Sequence, residues 1–573
     1  MILYLLLGSA LAYLAWSLVC LEINVKRARS MGIPLVRVPI DPVRNVPWMI
    51  IQPHVWAILD RLPIKWSSYP NFVRLLHRGW HFREKADTAL QFGPVWAIVT
   101  PMMIYLHITD PQAINDIFSR RWDFQRPVHE YNTLNVYGLS ISTAGTEDWA
   151  RHRKAMAAPF NESIMKFVWD EGVRQSEAMG RAWRAASTTQ AHSEIPSIRK
   201  DVRTISLNVL SATGFRKSYP FKASHETSVQ ADDEAGYRKT LSTVLDNAIL
   251  IMLIPYRYLK GPFVPKQLVE VGDAARGFKT HLTAMLEDEV TASKEGRPVS
   301  GGIMSGFVHS LEQHRKEVIT SPELKTSKDG KKGLTVDEIL SNLFVINFAG
   351  HDTTANTLTY SLYLLSVYPE VQDWLAEEIS AMTKDIPVEE WEYQELFPRL
   401  VRCRAILLET LRVYAPVMVM TKWTANNAQT LKVGDRVITI PDNTRTMMHL
   451  LAIQLHPQYW SDSYTWTPSR WVKPEDGTSG GPGREVLSEP TANTYFPWSD
   501  GPQNCPGKKF SEVESVAILA CLFRKSRLLI RKMPGEADDS AKKRALACIN
   551  HANHDLLLRM EDPDQVKLVC VEH

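Results

Sequence analysis

Residues Ile2 to Leu21 carry no charge and are dominated by Leu, Ala and Tyr. A helix over them would be about 30 Å long, the thickness of a bilayer core. Glu22 closes the run, and Lys26, Arg27 and Arg29 follow it, which holds the C-terminal side in the cytosol. No basic segment precedes the run, and it is long for a cleaved leader, so a permanent anchor is predicted over 2–21. Pro34, Pro39, Pro42 and Pro47 predict an extended, stiff connector over 22–50, with one folded domain over 51–573. The apolar run Ala248 to Ile254, which stops at Pro255, is too short to span and reads as a core helix, with a second membrane contact as the alternative. Further on, Thr335-Val-Asp-Glu338 forms a capping box ahead of Ile339, Leu343, Phe344, Ile346 and Phe348 at helical spacing. A long buried helix is expected there, running through Ala349-Gly350. Gly350 costs it about 1 kcal/mol relative to alanine. Asp352, Thr353 and Thr354 then put polar groups into the helix interior, where a local distortion holding water is expected. Phe510, Val513, Val516, Ala517, Ala520 and Leu522 mark another helix. Lys325 to Gly333 and Pro474 to Pro490 read as mobile surface insertions.

The chain has 573 residues and no internal repeat, and its 66 basic and 63 acidic residues leave a formal charge of +3. Nothing in that balance points to nucleic acid. A hydrophobic content of 45% supports a substantial core. The six cysteines lack paired spacing and form no CxxC, which argues for a reducing compartment without a disulfide framework or zinc site. Gly477, Gly480, Gly481 and Gly483 are not followed by an apolar helix, so they are not a nucleotide-binding loop. No flavin or nicotinamide module is visible. Asn161-Glu-Ser163 is a glycosylation sequon, but the topology places it in the cytosol, where it stays unmodified.

The chemistry centres on Cys505. It lies in Trp498-Ser-Asp-Gly501-Pro-Gln-Asn-Cys505-Pro-Gly507, where Pro497, Pro502, Pro506 and two glycines exclude regular structure just before a helix begins. A thiolate at a helix N-terminus is stabilised and can ligate a metal. Glu409 and Arg412 lie at i and i+3 on one helix face, with Ile406, Leu407, Leu408 and Leu411 beside them. Trp149 and Arg153 combine an indole N–H and a guanidinium, both donors for carboxylates.

Together with the cysteine loop, Ala349-Gly350-His351-Asp352-Thr353-Thr354, Glu409-Thr-Leu-Arg412 and Pro468-Ser-Arg470-Trp471 resemble the cytochrome P-450 family of haem-thiolate monooxygenases. The resemblance covers essentially the whole chain behind its N-terminal segment. It implies a mainly α fold with a small β region, one large domain behind the transmembrane helix, and haem b (iron protoporphyrin IX) as cofactor. Cys505 would be the metal ligand, with Trp498, Gly501 and Gly507 shaping its loop. Trp149 and Arg153 would hold the haem propionates. Asp352 and Thr353 would be catalytic, feeding protons to bound oxygen, while Glu409, Arg412 and Arg470 would lock the fold. Phe344, Asn347, Phe348, Ala349, Val417 and Met418 would outline the substrate pocket, and Tyr131 to Leu139 a specificity loop. Two positions depart from the family: Trp498 stands where Phe is usual, and Gln503 where a basic residue is usual. The second removes a charge at an expected propionate anchor and puts weight on Arg153 and an unidentified cation.

The implied activity is insertion of one oxygen atom from O2 into an apolar small molecule, with electrons from a separate NADPH-dependent reductase. The cysteine-loop wording is similar to fungal members that act on terpenoid, polyketide or alkaloid intermediates at the endoplasmic reticulum membrane, with the catalytic domain in the cytosol. Lys508 and Lys509 are candidates for docking that reductase. Two other readings are a reductase-independent isomerase or dehydratase, against which Asp352-Thr353 argues, and a non-enzymatic membrane haem-binding sensor.

Overall fold

The computed structural model describes residues 1–573 except 158–159, 190–193, 217, 225–232, 298–301, 321–331, 555 and 573. Most of the loop expected at 325–333 therefore lies outside the described residues. Helices dominate, and the largest sheet has five strands in the order Leu35–Arg37, Val95–Val99, Ile104–Ile108, Thr444–Met448, Met420–Trp423. Val95–Val99 and Ile104–Ile108 run antiparallel, Ile104 pairs Thr444 in parallel, and Met420 pairs Met448 in antiparallel register. Alternation along Val95–Val99 buries both sheet faces: Val95, Ala97 and Val99 join one hydrophobic cluster, and Trp96 and Ile98 join another with Trp80 and Leu75.

The N-terminal helix Ile2–Arg29 continues past Glu22. Tyr4, Leu11 and Trp16 are exposed, whereas Leu21, Val25 and Ala28 are buried against the sheet. Asn24 Nδ2 donates to the carbonyls of Thr100 and Pro101, at 3.0 and 3.2 Å, and Arg37 pairs with Glu22. The expected extended connector over 22–50 is instead folded into the domain. Leu35–Arg37 is an edge strand, buried Asp41 accepts hydrogen bonds from Thr100 and Tyr105, and a helix begins at Val46. The prolines permit this because Pro47 occupies the first helical turn, where an N–H is not needed, and Asn45 caps Trp48 N at 2.9 Å.

The long helix Val336–Val367 starts at the expected capping box, with Thr335 Oγ1 accepting from Glu338 N and Glu338 accepting from Thr335 N. One α-helix runs without interruption through Gly350. The hydroxyls are satisfied within the helix: Thr353 Oγ1 donates to Ala349 O at 2.7 Å, and Thr357 Oγ1 to Thr353 O at 2.9 Å. The helix packs on Ile198–Phe215 and on Val401–Val413, while Lys508–Phe523 packs on Glu162–Thr189.

Two further expectations change. Ala248–Leu253 is helical, yet only Ala248 and Ile251 are buried, and Ile249, Leu253 and Ile254 face outward; six residues give too short a stripe to bury every apolar group. The stretch 474–490 closes as an antiparallel hairpin, Val472–Pro474 on Glu485–Leu487, fastened by a double hydrogen bond from Arg402 to Glu485.

Candidate active site

The cysteine loop is held by its own backbone. Cys505 N donates to Trp498 O at 2.9 Å and Asn504 N to Gly501 O at 3.2 Å. Gly501 sits at φ +67°, and a Cβ there would meet Phe118 O at 2.6 Å, so only glycine fits. Trp498 Nε1 donates to Ser511 Oγ at 3.0 Å, which ties the loop to the helix Lys508–Phe523 behind it. At Gly507, which precedes that helix, a Cβ would contact nothing but the Cys505 sulfur. Burial pushes the Cys505 thiol up, opposed by the Gly507 amide and the Arg153 guanidinium, both of which favour the thiolate.

The sulfur faces a cavity of about 330 Å³, whose opposite wall is one face of the long helix. Val345, Ala349, Thr353 and Thr357 recur at four-residue spacing along that wall, and Val417 and Met420 complete it. Phe344, Asn347, Phe348 and Met418 do not line it. Helical periodicity is the reason for the first three: Phe344 and Phe348 stack on each other at 6.0 Å on another side of the helix, and Asn347 donates to Leu343 O. Asp352 also turns away, to a 3.0 Å ion pair with Arg203, which in turn holds Asp246. Thus Thr353, Cys505, Trp149, Arg153, Trp498, Gly507 and Val417 meet at one cavity, and Gly501 shapes it from behind.

Beside Cys505 the wall turns cationic. Among the described residues, buried Trp149 Nε1 has no hydrogen-bond acceptor. Arg153 donates to the main-chain O and Oδ1 of Asn504 at 3.0 and 2.5 Å. Arg126 donates to Ile141 O and Gln503 O at 2.9 and 3.2 Å. Lys422, 1% exposed, donates to Gln503 Oε1. Burial pushes the Lys422 amine down to about 7, and the charges of Arg126 and Arg121 add to this. Among the described residues, Arg126, Arg153 and Lys422 have only carbonyl and amide oxygens as partners. Buried Lys422 and half-buried Arg126 and Arg153 without carboxylate partners, an indole N–H with no acceptor and an open thiol fit a metal-bearing ligand that carries carboxylate groups. Sequence reasoning found Trp149 and Arg153 and missed Arg126 and Lys422. Lys422 could have been suspected, since it shares a strand face with cavity-lining Met420 two residues earlier.

On the far side of the Val401–Val413 helix, Glu409 is fully buried between two guanidinium groups. Arg412 donates to both of its oxygens at 2.8 Å, Arg470 Nε to one at 3.1 Å, and Trp471 Nε1 and Thr467 N at 2.8 Å each. The remaining Arg412 donors reach the carbonyls of Gln454, Ser463 and Thr465. One other cluster, Asp148, His152 and Glu338, has metal-ligand spacing among the described residues. Arg151 already occupies both carboxylates, at 2.7 and 2.6 Å, which leaves no anionic seat for a metal.

A cysteine in a backbone-braced loop thus shares one cavity with a hydroxyl-bearing helix face and with cations that meet no carboxylate among the described residues. The family model for cytochrome P450 matches residues 63–550. A cytochrome P450 monooxygenase of Arthrobotrys oligospora is 24% identical over 566 residues, covering 96% of this chain and 95% of the relative. A phomenoic acid biosynthesis cluster cytochrome P450 monooxygenase of Leptosphaeria maculans is 25% identical, with 94% of each chain covered. The solved haem domain of cytochrome P450DA shares the fold, with a TM-score of 0.63 at 16% identity over 88% of this chain and 96% of that one. The chain belongs to the cytochrome P450 family, as a monooxygenase whose family cofactor is haem iron. At its N-terminus the helix Leu7–Arg29 is long and apolar enough to cross a membrane, consistent with an anchor or a signal sequence.

Proposed function

We propose that this chain is a membrane-anchored monooxygenase that oxidises an apolar small molecule with O2, using NADPH electrons from a separate reductase at the endoplasmic reticulum. The observation that carries this reading is the cavity itself: Cys505 on one side, Thr353 on the other, and an aliphatic wall of Val345, Ile346, Ala349, Val417 and Leu210 between them. When bound, the haem iron supplies oxygen activation, and a thiolate ligand favours O–O cleavage. Cys505 would be its ligand, and Arg153, Trp149 and Arg126 would seat the propionates by charge and hydrogen bonding. Glu409, Arg412 and Arg470 hold the surrounding helices.

Protons must reach a dry pocket from one side. The Thr353 hydroxyl lines the cavity and is oriented by Ala349 O, while Asp352, one residue away, carries its carboxylate toward solvent through Arg203 and Asp246. In this reading Asp352 takes protons on the outer side and Thr353 presents one inside once its hydroxyl turns away from Ala349 O. Anchoring on the membrane is supported by the exposed apolar helix and by its docked C-terminal turns, and an apolar substrate would concentrate there. A terpenoid, polyketide or alkaloid intermediate is the substrate class we favour, and the Leptosphaeria relative's place in a phomenoic acid biosynthesis cluster supports a biosynthetic role. Lys508 stays available for docking the reductase, 5.4 Å from the Trp498 ring, whereas Lys509 is engaged with Glu162.

Full-length protein with haem, a P450 reductase and NADPH, fed a panel of such scaffolds, is expected to yield a product one oxygen heavier. Thr353→Ala and Asp352→Asn should lower product formed per NADPH by about 10²-fold, the scale of a lost proton donor. NADPH-independent turnover of a peroxide, or no oxidised product from any scaffold, would contradict the assignment.

A further inference from the structure

His351 precedes Asp352 in the long helix and is 4% exposed. Its two ring nitrogens are not equivalent. Nε2 lies 3.1 Å from Arg203 O on the helix Ile198–Phe215, and a carbonyl can only accept, so Nε2 carries the hydrogen. Burial pushes the imidazole below its ordinary value, opposed by Asp352 and aided by Arg203, so the ring is neutral and Nδ1 keeps its lone pair. Nδ1 has no hydrogen-bond partner among the described residues. It lies 3.4 Å from Asp352 Oδ1. Two acceptors thus face each other, with the place of one proton between them. The same Oδ1 accepts from Arg203 Nε at 3.0 Å, and Arg203 also holds Asp246, at 3.0 Å. Among the described residues, Asp352, Arg203 and Asp246 are the charged groups that act on His351.

We propose that His351 is a positioning residue for Asp352, holding it in the protonated state by accepting a hydrogen bond at Nδ1. While ionised, the carboxylate belongs to Arg203. When one proton arrives from solvent, an O–H bond forms on Asp352, the pull of Arg203 weakens, and the new O–H turns to Nδ1. Asp246 keeps Arg203 paired meanwhile. When that proton passes on toward Thr353, the carboxylate returns to Arg203, so neither state leaves a charge without a partner. The inference rests on the haem reading above and on the proton role given there to Asp352.

Two substitutions separate this role from a purely structural one. His351→Gln puts an amide N–H where Nε2 was and leaves no acceptor at the Nδ1 place; His351→Asn puts an oxygen at the Nδ1 place and leaves Arg203 O without its donor. In the haem-free full-length chain at acid pH, difference infrared spectra should show a hydrogen-bonded carboxylic acid band that vanishes in Asp352→Asn. His351→Gln should move that band to higher frequency and His351→Asn should leave it in place, although His351→Asn should melt at the lower temperature. In holoenzyme with a P450 reductase, NADPH and a scaffold that wild type oxidises, His351→Gln should form about tenfold less product per NADPH, the scale of one strong hydrogen bond. Its alkaline loss of product per NADPH should begin at lower pH, because the protonated carboxyl has lost its acceptor, while His351→Asn stays close to wild type. A band and a product yield unchanged in His351→Gln would overturn the proposal, as would yields that follow melting temperature, with His351→Asn the worse of the two. If wild type oxidises no scaffold, or Asp352→Asn oxidises it as well as wild type, the underlying reading fails instead.

Discussion

Two buried charge clusters lie on either side of this molecule's core, and they are built on opposite rules. Around Glu409 the account closes: one carboxylate lies between Arg412 and Arg470, and every Arg412 nitrogen has an acceptor. Around Cys505 it does not close: Arg126 and Arg153 line the cavity, Lys422 lies behind Gln503, and none of the three pairs with a carboxylate among the described residues. A closed network needs no further component and holds structure. An open one costs stability until a ligand completes it, so incompleteness itself marks the binding site.

The largest test of that contrast is to break the closed side. Arg412→Ala leaves Glu409 buried with much of its pairing gone and should destabilise the protein by about 3–5 kcal/mol, with or without haem, in denaturant titrations. The open side should respond with opposite sign. Arg126→Met removes a cation that meets no carboxylate among the described residues, so the haem-free chain should be at least as stable as wild type while haem retention falls. A haem-free Arg126→Met chain that is less stable than wild type would erase the distinction between the two clusters.

How far the sequence reached differs between the clusters for the same reason. Glu409 and Arg412 are neighbours on one helix, and their spacing is visible in the chain. Arg126 and Lys422 come from a loop and a strand almost three hundred positions apart, and only the fold brings both to Gln503. Helical spacing read correctly would have removed Phe344 and Phe348 from the cavity wall and kept Val345 and Ala349. The first-turn tolerance for proline would have allowed Pro47 its helix. The outward turn of Asp352 was not legible, because its partner Arg203 comes from a different helix.

A smaller effect should appear in pH dependence. The Lys422 amine falls from an ordinary 10.5 to about 7 in the folded chain. Between those values the unfolded chain binds more protons, so haem-free stability should rise as pH increases from about 7 toward 10 and level off above that. With haem bound, a propionate seated beside Gln503 would hold the lysine charged, and the rise should then flatten. Smaller still, Arg470→Lys keeps the charge at 14% exposure but loses the fork, and should cost about 1 kcal/mol in a thermal melt.

The central claim is that the open cluster and Cys505 together form a haem-thiolate seat. It is tested most directly by the spectrum of the reduced, carbon monoxide-bound protein, recorded for wild type and Cys505→Ala after haem loading. Wild type should show the red-shifted Soret band produced by thiolate ligation, and Cys505→Ala should lose that band while any residual haem absorbs as a non-thiolate complex. A band unchanged in Cys505→Ala, or absent from fully loaded wild type, would contradict the account.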